Sequence, residues 1–215
     1  ASAGAAERGD NLYETCGEAI RTLLALESFT PTVLEPACGR GAISRPLEEA
    51  GYDVVLSDLR DRGCATRDGE VQHAGDFLQT QPSDLWGGRR LRPDIVTNPP
   101  YGAALNAFVA HALRIFRPRK MALLLNLNFL AGFDDEDRCY AMDECPPARI
   151  HVFTRRLPMM HRDDWDGEKA SSRMNTAWFV WEIGRHDDYC GPTVVNRIDW
   201  KVWEKRAALP PRGKA

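Results

Sequence analysis

From Asn11 onward, the chain alternates between two hydrophobic periods. In residues 11–29, NLYETCGEAIRTLLALESF, the apolar positions Ala19, Ile20, Leu23, Leu24 and Leu26 form a helical stripe. TVLEP (Thr32 to Pro36) then reads as a strand, ISRPLEEAG as a helix, and YDVVLSD (Tyr52 to Asp58) as a second strand ending in an acid. A weaker strand signal runs through EVQHAGDF. DIVTN follows, then the helical pattern AALNAFVAHALRIF and the apolar run MALLLNLNFL (Met121 to Leu130), read as a buried strand. ARIHVF (Ala148 to Phe153) and TAWFVWEI (Thr176 to Ile183) are β-rich and predict an antiparallel hairpin at the sheet edge. Alternation of this kind predicts an α/β fold: a mostly parallel central sheet with helices on both faces.

Between the last two β segments lies a polar stretch without periodicity, residues 154–175, which contains Gly and Pro. An unstructured connection longer than about 15 residues is uncommon in a compact domain unless it binds something, so it is a candidate for substrate contact. At 215 residues and 43% hydrophobic composition, the chain predicts one domain spanning 1–215. Residues 1–11 are expected to be disordered. No window approaches the roughly 18 apolar residues of a membrane span, and the small and charged first residues do not resemble a signal peptide, so a cytoplasmic protein is expected. The six cysteines show no C-x-x-C pair and no regular spacing; neither a disulfide framework nor a metal site is expected, only ordinary buried thiols.

The net charge of −3 argues against a generic nucleic-acid coat. Its distribution is uneven: 13 basic against 9 acidic residues from Cys145 onward leave 15 against 22 before it. A basic C-terminal part suits an anionic partner approaching from one side, though ordinary surface variation would look the same.

Two motifs carry chemistry. In VLEPACGRGAIS a strand delivers Glu35 and Pro36 to its end, and Gly39 and Gly41 permit a sharp turn and close approach to a ligand before the next helix. Asp58 closes the following strand, where a carboxylate can accept hydrogen bonds from both hydroxyls of a ribose. Taken alone, this pattern also fits a nicotinamide dinucleotide enzyme or a plain tight turn.

The second motif is Asn98-Pro99-Pro100-Tyr101. A helix start explains the Asn and one Pro, but not the second Pro, the Tyr, or the position at the end of a central strand. A conjugated amine such as the exocyclic nitrogen of adenine is a poor nucleophile because its lone pair is delocalised into the ring. The Asn98 side-chain oxygen and the Pro99 carbonyl can accept its two N–H bonds and aim the lone pair at an electrophile. The prolines fix those acceptors beforehand, and Tyr101 offers a flat face for a planar base. Methylation of a ring carbon would instead need an activated thiolate, and Cys145 in ECPP shows no sign of activation.

EPACGRG followed by NPPY resembles the S-adenosylmethionine-dependent amino-methyltransferases, above all the DNA adenine-N6 methyltransferases, over most of the chain from Leu12 to about Ile183. Cys16 stands where relatives usually carry proline. The resemblance implies a class I methyltransferase fold and S-adenosylmethionine as methyl donor, with S-adenosylhomocysteine as product. It implies that Glu35 and the loop Pro36, Ala37, Cys38, Gly39 and Gly41 hold the methionine end of the donor. Asp58 with Leu59 would hold the ribose, Asp76 and Phe77 the adenine, and Tyr13 and Thr15 would close over it. Asn98 to Tyr101 would orient the target amine, and NTAWFVW, with Trp178, would wall the base pocket. Plainer roles also fit: a turn cap for Asp76, and core packing for Tyr13, Trp178 and Trp181.

The implied partner is duplex DNA with the target base flipped out. Phosphate contacts are expected from Arg155, Arg156 and Arg162 in the long loop, with Trp165 inserting or stacking. The cluster Arg114, Arg117, Arg119 and Lys120 is a second candidate, unless it only offsets a helix dipole. A large target-recognition domain, common in bigger relatives, is not apparent. The sequence leaves monomer and homodimer open, along with the same chemistry on RNA or a protein glutamine amide, and a non-catalytic donor-binding module.

Overall fold

The computed structural model describes residues 15–87, 91–131, 134–158, 174–203 and 205–213. The first 14 residues, with Tyr13 and the expected disordered start, lie outside the described residues. So do Arg162, Trp165 and most of the 154–175 connection.

Helix α1 (Gly17–Leu26) forms because Ala19, Ile20, Leu23 and Leu24 fall on one side and are almost fully buried. It ends where Glu27 turns extended and donates its N–H back to Leu23. β1 (Thr32–Glu35), α2 (Ser44–Glu49) and β2 (Asp53–Asp58) follow the expected alternation. After β2 come the two-residue β3 (His73–Ala74), α3 (Pro82–Trp86), β4 (Asp94–Thr97) and α4 (Leu105–His111), which widens into a π-type turn over Ala112–Phe116. β5 (Lys120–Asn126), α5 (Glu136–Cys139), β6 (Arg149–Phe153), β7 (Thr176–Glu182), β8 (Val194–Ile198) and α6 (Trp200–Trp203) complete the described elements.

The described strands form one sheet in the order β3-β2-β1-β4-β5-β7-β6-β8. The first five are parallel, β7 runs antiparallel to both β5 and β6, and β8 is parallel to β6. Both faces are covered, so the strands read as continuous apolar runs rather than alternating ones. Val33, Leu56, Val96, Leu124, Trp178 and Val180 pack with α1 and α2. Leu34, Ile95, Leu123, Phe179 and Trp181 pack on the opposite face against α4 and its continuation.

Three expectations need correction. The apolar run after Lys120 is a strand only to Asn126, whose Oδ1 accepts the Asn128 N–H and turns Leu127–Leu130 into a 3-10 helix. β6 and β7 do pair antiparallel, but not at the sheet edge, because β8 adds outside β6. β8 escapes the pattern since Val194 and Val195 are exposed. The cysteines are only partly buried thiols: Cys16, Cys38 and Cys64 are buried, Cys139 and Cys145 half-buried, and Cys190 is exposed.

Opposite the strand ends that carry the two motifs, an ionic cluster braces the sheet. Glu27 accepts from Lys120 Nζ at 2.6 Å, from Arg149 Nε at 2.6 Å and from His151 Nε2 at 2.9 Å. Burial works against the Glu27 carboxylate, but His151, Arg149 and Lys120 together hold its pKa well below the usual carboxylate range. Glu182 and the fully buried Asp94 both bind Arg212, whose own N–H reaches the Phe29 carbonyl. Lys120 thus belongs to this cluster, Arg114 pairs with Asp137, and Arg117 with Asp187. Three of the four cations of the second phosphate candidate are therefore engaged in pairs within the protein.

Candidate active site

The C-terminal ends of β1, β2 and β4 open onto one cavity of about 280 Å³, just below the roughly 300–1,000 Å³ usual for small-molecule sites. Its walls bring together Thr15, Glu35 to Gly39, Asp58, Leu59, Asp76, Phe77 and Asn98 to Tyr101, residues spread over more than 80 positions of sequence. Crevices beyond the carboxyl ends of parallel strands are where open α/β sheets take ligands. A hollow of about 480 Å³ beside β2 and α3 is larger, yet its polar wall of Glu48, Asp53, Arg67, Asp68 and Glu70 includes none of the motif residues.

The loop after β1 turns on two left-handed glycines, Gly39 at φ +54° and Gly41 at φ +88°. A side chain on Gly41 would stand 3.0 Å from Ser44 Oγ and 3.3 Å from Cys64 Sγ. Gly41 therefore shapes the turn from behind and does not line the cavity. Asp58 ties this loop to the end of β2: its Oδ2 accepts the Gly39 N–H at 2.9 Å, and its Oδ1 takes the Arg60 N–H and Arg62 Nε.

Glu35 is 1% exposed and faces the cavity, and its Oε2 has no hydrogen-bond partner. Burial, reinforced by the nearby Asp58 charge, pushes its pKa well above the ordinary carboxylate value despite bonds from Ser44. A buried oxygen left without a donor is costly, and a ligand bringing an N–H or a positive charge would relieve it. Burial also pushes up the thiol of Cys38, so it is not a poised nucleophile.

Asn98 is half-buried and Pro99 buried where β4 ends. Tyr101 donates its hydroxyl to the Leu124 carbonyl of β5 at 3.0 Å, and burial raises its pKa. The ring is thereby anchored at its tip while it lines the cavity. On the far wall Asp76 caps the 3-10 turn Phe77–Gln79, its Oδ1 taking the Leu78 N–H, so the plainer turn-cap role is present. Phe77 stacks on Phe116 with ring centroids 4.8 Å apart.

Trp178 departs from expectation: it is fully buried, with its indole N–H on the Ala19 carbonyl at 3.0 Å. It is a core residue between the sheet and α1, and it cannot touch a base. Trp181 is likewise interior, bonded to the Ala141 and Cys145 carbonyls. Arg155 and Arg156 are exposed beyond the end of β6, on the same side of the sheet as the cavity but not in its wall. Arg155 Nε is held by Asp199 at 2.7 Å. Sequence reasoning missed Arg40, Arg60, Arg62 and Phe108 in the cavity wall; the first three sit in loops without periodicity, so only folding brings them together.

No family model and no curated protein sequence matches the chain. Solved structures do resemble it. The methyltransferase subunit of a type I restriction-modification system from Streptococcus thermophilus superposes with a TM-score of 0.56 at 13% identity. That match covers 79% of this chain, but this chain spans only 44% of that subunit. A Pyrococcus horikoshii protein predicted to be an RNA methyltransferase gives 0.50 at 16% identity, over 78% of this chain and 85% of its own. A 23S rRNA methyltransferase gives 0.51 at 14% identity, over 84% and 73%.

The chain has the Rossmann-like fold of class I methyltransferases. In this methyltransferase fold the cavity lies at the loop-bearing end of the parallel strands. Among the described residues no group of His, Cys, Asp and Glu could hold a metal ion, and no helix is long and apolar enough to cross a membrane.

Proposed function

We propose that the chain, acting as one domain over 1–215, transfers a methyl group from S-adenosylmethionine to the exocyclic N6 amine of adenine in DNA. The observation that carries this reading is that the glycine loop with Glu35 and Asp58, and the whole of Asn98-Pro99-Pro100-Tyr101, wall the same cavity. The residues present fit the donor. The buried Glu35 oxygen without a partner suits the ammonium of its methionine end, Asp58 suits ribose hydroxyls, and Phe77 with Leu59 offers apolar surface for its adenine. When bound, the donor supplies an electrophilic methyl group on a sulfonium.

The chain's own residues do the remainder. Asn98 and the Pro99 carbonyl accept the two N–H bonds of the target amine and turn its lone pair out of conjugation. The two prolines keep those acceptors from relaxing when substrate arrives. Tyr101 presents its ring to the base, held by the bond to Leu124. A stacked base cannot enter the cavity, so the nucleotide must rotate out of a duplex at a cost of a few kcal/mol. Arg155, Arg156, Arg162 and Trp165, on or near the connection leaving β6, would grip the flanking backbone.

RNA is the second reading, since two of the solved structures that share the fold are described as RNA methyltransferases, one of them by prediction. The test is to measure equilibrium binding of S-adenosylmethionine against NAD, then incubate radiolabelled donor with duplex DNA, single-stranded DNA, RNA and cell protein. Label on N6 of DNA adenine is expected. Label in RNA or protein alone removes the DNA assignment, and preference for NAD removes the donor as well.

A further inference from the structure

The loop between β2 and β3 has no regular secondary structure over residues 59–64, yet Leu59, Arg60 and Arg62 form one wall of the cavity. Its shape depends on one side chain outside it. Gln72 is 7% exposed, and its Oε1 accepts both the Arg62 N–H at 3.1 Å and the Cys64 N–H at 3.1 Å. Its Nε2 donates to the Arg60 carbonyl at 2.8 Å. The amide orientation follows from this pattern, with two donors meeting the oxygen and a carbonyl meeting the nitrogen.

Gln72 is brought there by a small excursion of chain. Ala65 and Val71 form an isolated antiparallel bridge, Thr66 N–H bonds to the Glu70 carbonyl, and the Gln72 N–H returns to the Cys64 carbonyl. His73 and Ala74 then pair with Ser57 and Asp58, so Gln72 is fixed by β3 immediately after it. On the other side of the loop, the same residues grip Asp58 through the Arg60 N–H at 3.1 Å and Arg62 Nε at 3.3 Å. A continuous chain of hydrogen bonds therefore runs from Gln72 through Arg60 and Arg62 to the Asp58 carboxylate, and from there to Gly39 at 2.9 Å. Gln72 itself does not line the cavity.

We propose that Gln72 is a positioning residue for ligand binding: its amide holds the 60–64 backbone so that Asp58 and the neighbouring wall are set before the nucleoside part of the ligand arrives. This rests on the proposed methyl-donor site. Pre-setting a wall lowers the ordering cost of binding and leaves the chemical step untouched. The role thus belongs to affinity rather than turnover.

The experiment compares wild type with Gln72→Ala and Gln72→Glu by S-adenosylmethionine titration, steady-state kinetics at saturating substrate, and hydrogen exchange of residues 59–64 without ligand. Gln72→Ala is expected to raise the donor Kd by about tenfold, with kcat at saturating donor within about twofold of wild type. Gln72→Glu keeps an acceptor for the two N–H groups but sets a buried carboxylate oxygen against the Arg60 carbonyl, so it should weaken donor binding at least as much as Gln72→Ala. In a double-mutant cycle with Asp58→Asn, the two effects should be less than additive.

An unchanged donor Kd in Gln72→Ala, or strict additivity with Asp58→Asn, overturns the proposal. A fall in kcat matching the loss of folded protein, at constant Kd, also overturns it, by making Gln72 a stability residue only. If the wild-type chain does not bind S-adenosylmethionine, the proposed function itself falls, which is separate from a wild type that binds and a Gln72→Ala that binds equally well.

Discussion

The Tyr101 hydroxyl donates to the carbonyl of Leu124, 23 residues away on the neighbouring strand, at 3.0 Å. This bond joins the end of the NPPY segment to β5, so the ring cannot swing out of the cavity wall without breaking it. Tyr101→Phe should keep the stacking face and lose only the anchor. Stability should fall by about 1 kcal/mol, and kcat should drop by a few-fold, whereas Tyr101→Ala should lose far more. Thermal melts beside steady-state kinetics test this; equal activity of the Phe and Ala variants would show that the ring has no part in holding a base.

Asn98→Ala should leave S-adenosylmethionine affinity near wild type while lowering kcat by about 10²- to 10³-fold, the usual cost of removing one aligned polar group from a reacting centre. Isothermal titration and single-turnover methylation separate the two effects. Full activity in this variant would refute the account of the motif.

Asp58→Ala should act in the opposite way, weakening donor binding by about 1–3 kcal/mol when a hydrogen-bonded charge is lost. Part of that loss arises within the protein, because the Gly39 N–H also loses its acceptor. Fluorescence titration with the donor measures it, and an unaltered Kd would remove Asp58 from the ligand contacts.

The pH dependence of donor binding follows from Glu35, whose pKa in the folded protein is raised well above 4.5 by burial and then by Asp58. A raised carboxyl favours the fold in its protonated form, so that contribution is complete below the ordinary carboxylate range and is lost as pH rises through the folded value. An ammonium group reverses the preference by favouring the carboxylate. Donor binding should therefore expel a proton, and affinity should rise with pH by up to about tenfold per unit until Glu35 ionises unaided. Calorimetry in buffers of different ionisation enthalpy counts the protons. Glu35→Gln should abolish the release, and a wild type that releases none contradicts the assignment.

Acid stability has the contrary sign at the other rim. Burial opposes the Glu27 and Glu182 carboxylates, but their cationic partners depress both pKa values in the fold, so the stabilisation is present above the ordinary range near 4.5 and is lost as pH falls below it. Glu27→Gln leaves Lys120 and Arg149 short of a buried counter-charge and should cost about 3–5 kcal/mol. Urea denaturation at neutral pH measures this, and a loss under about 1 kcal/mol, the level of an exposed pair, would mean the cluster is solvent-screened.

Much of the fold was legible because both faces of the sheet are covered. Runs such as LLL at 123–125 and the stripe from Ala19 to Leu24 can belong only to interior strands and a half-buried helix. β8 was not legible, since Val194 and Val195 point apolar side chains at solvent and erase the alternation. The candidate cavity was readable where the sequence carries unusual residues, since Asn98-Pro99-Pro100-Tyr101 lines it together with the glycine loop. Trp178 misled because an indole suits a base pocket and a core equally, and only its bond to Ala19 shows which it fills. Gln72 and Arg62 carried no signal at all: a glutamine in a polar stretch looks the same whether it faces water or clamps three backbone groups.

Arg212 draws the chain's final described turn beneath the sheet, between Asp94 and Glu182. The molecule therefore resembles a beam clamped at one end, with its cavity-lining loops at the other. Loops around the ligand mouth can be exchanged or remade by selection without loosening the clamp, whereas a cut just before Leu209 would unfasten it and leave the buried Asp94 carboxylate without its cation.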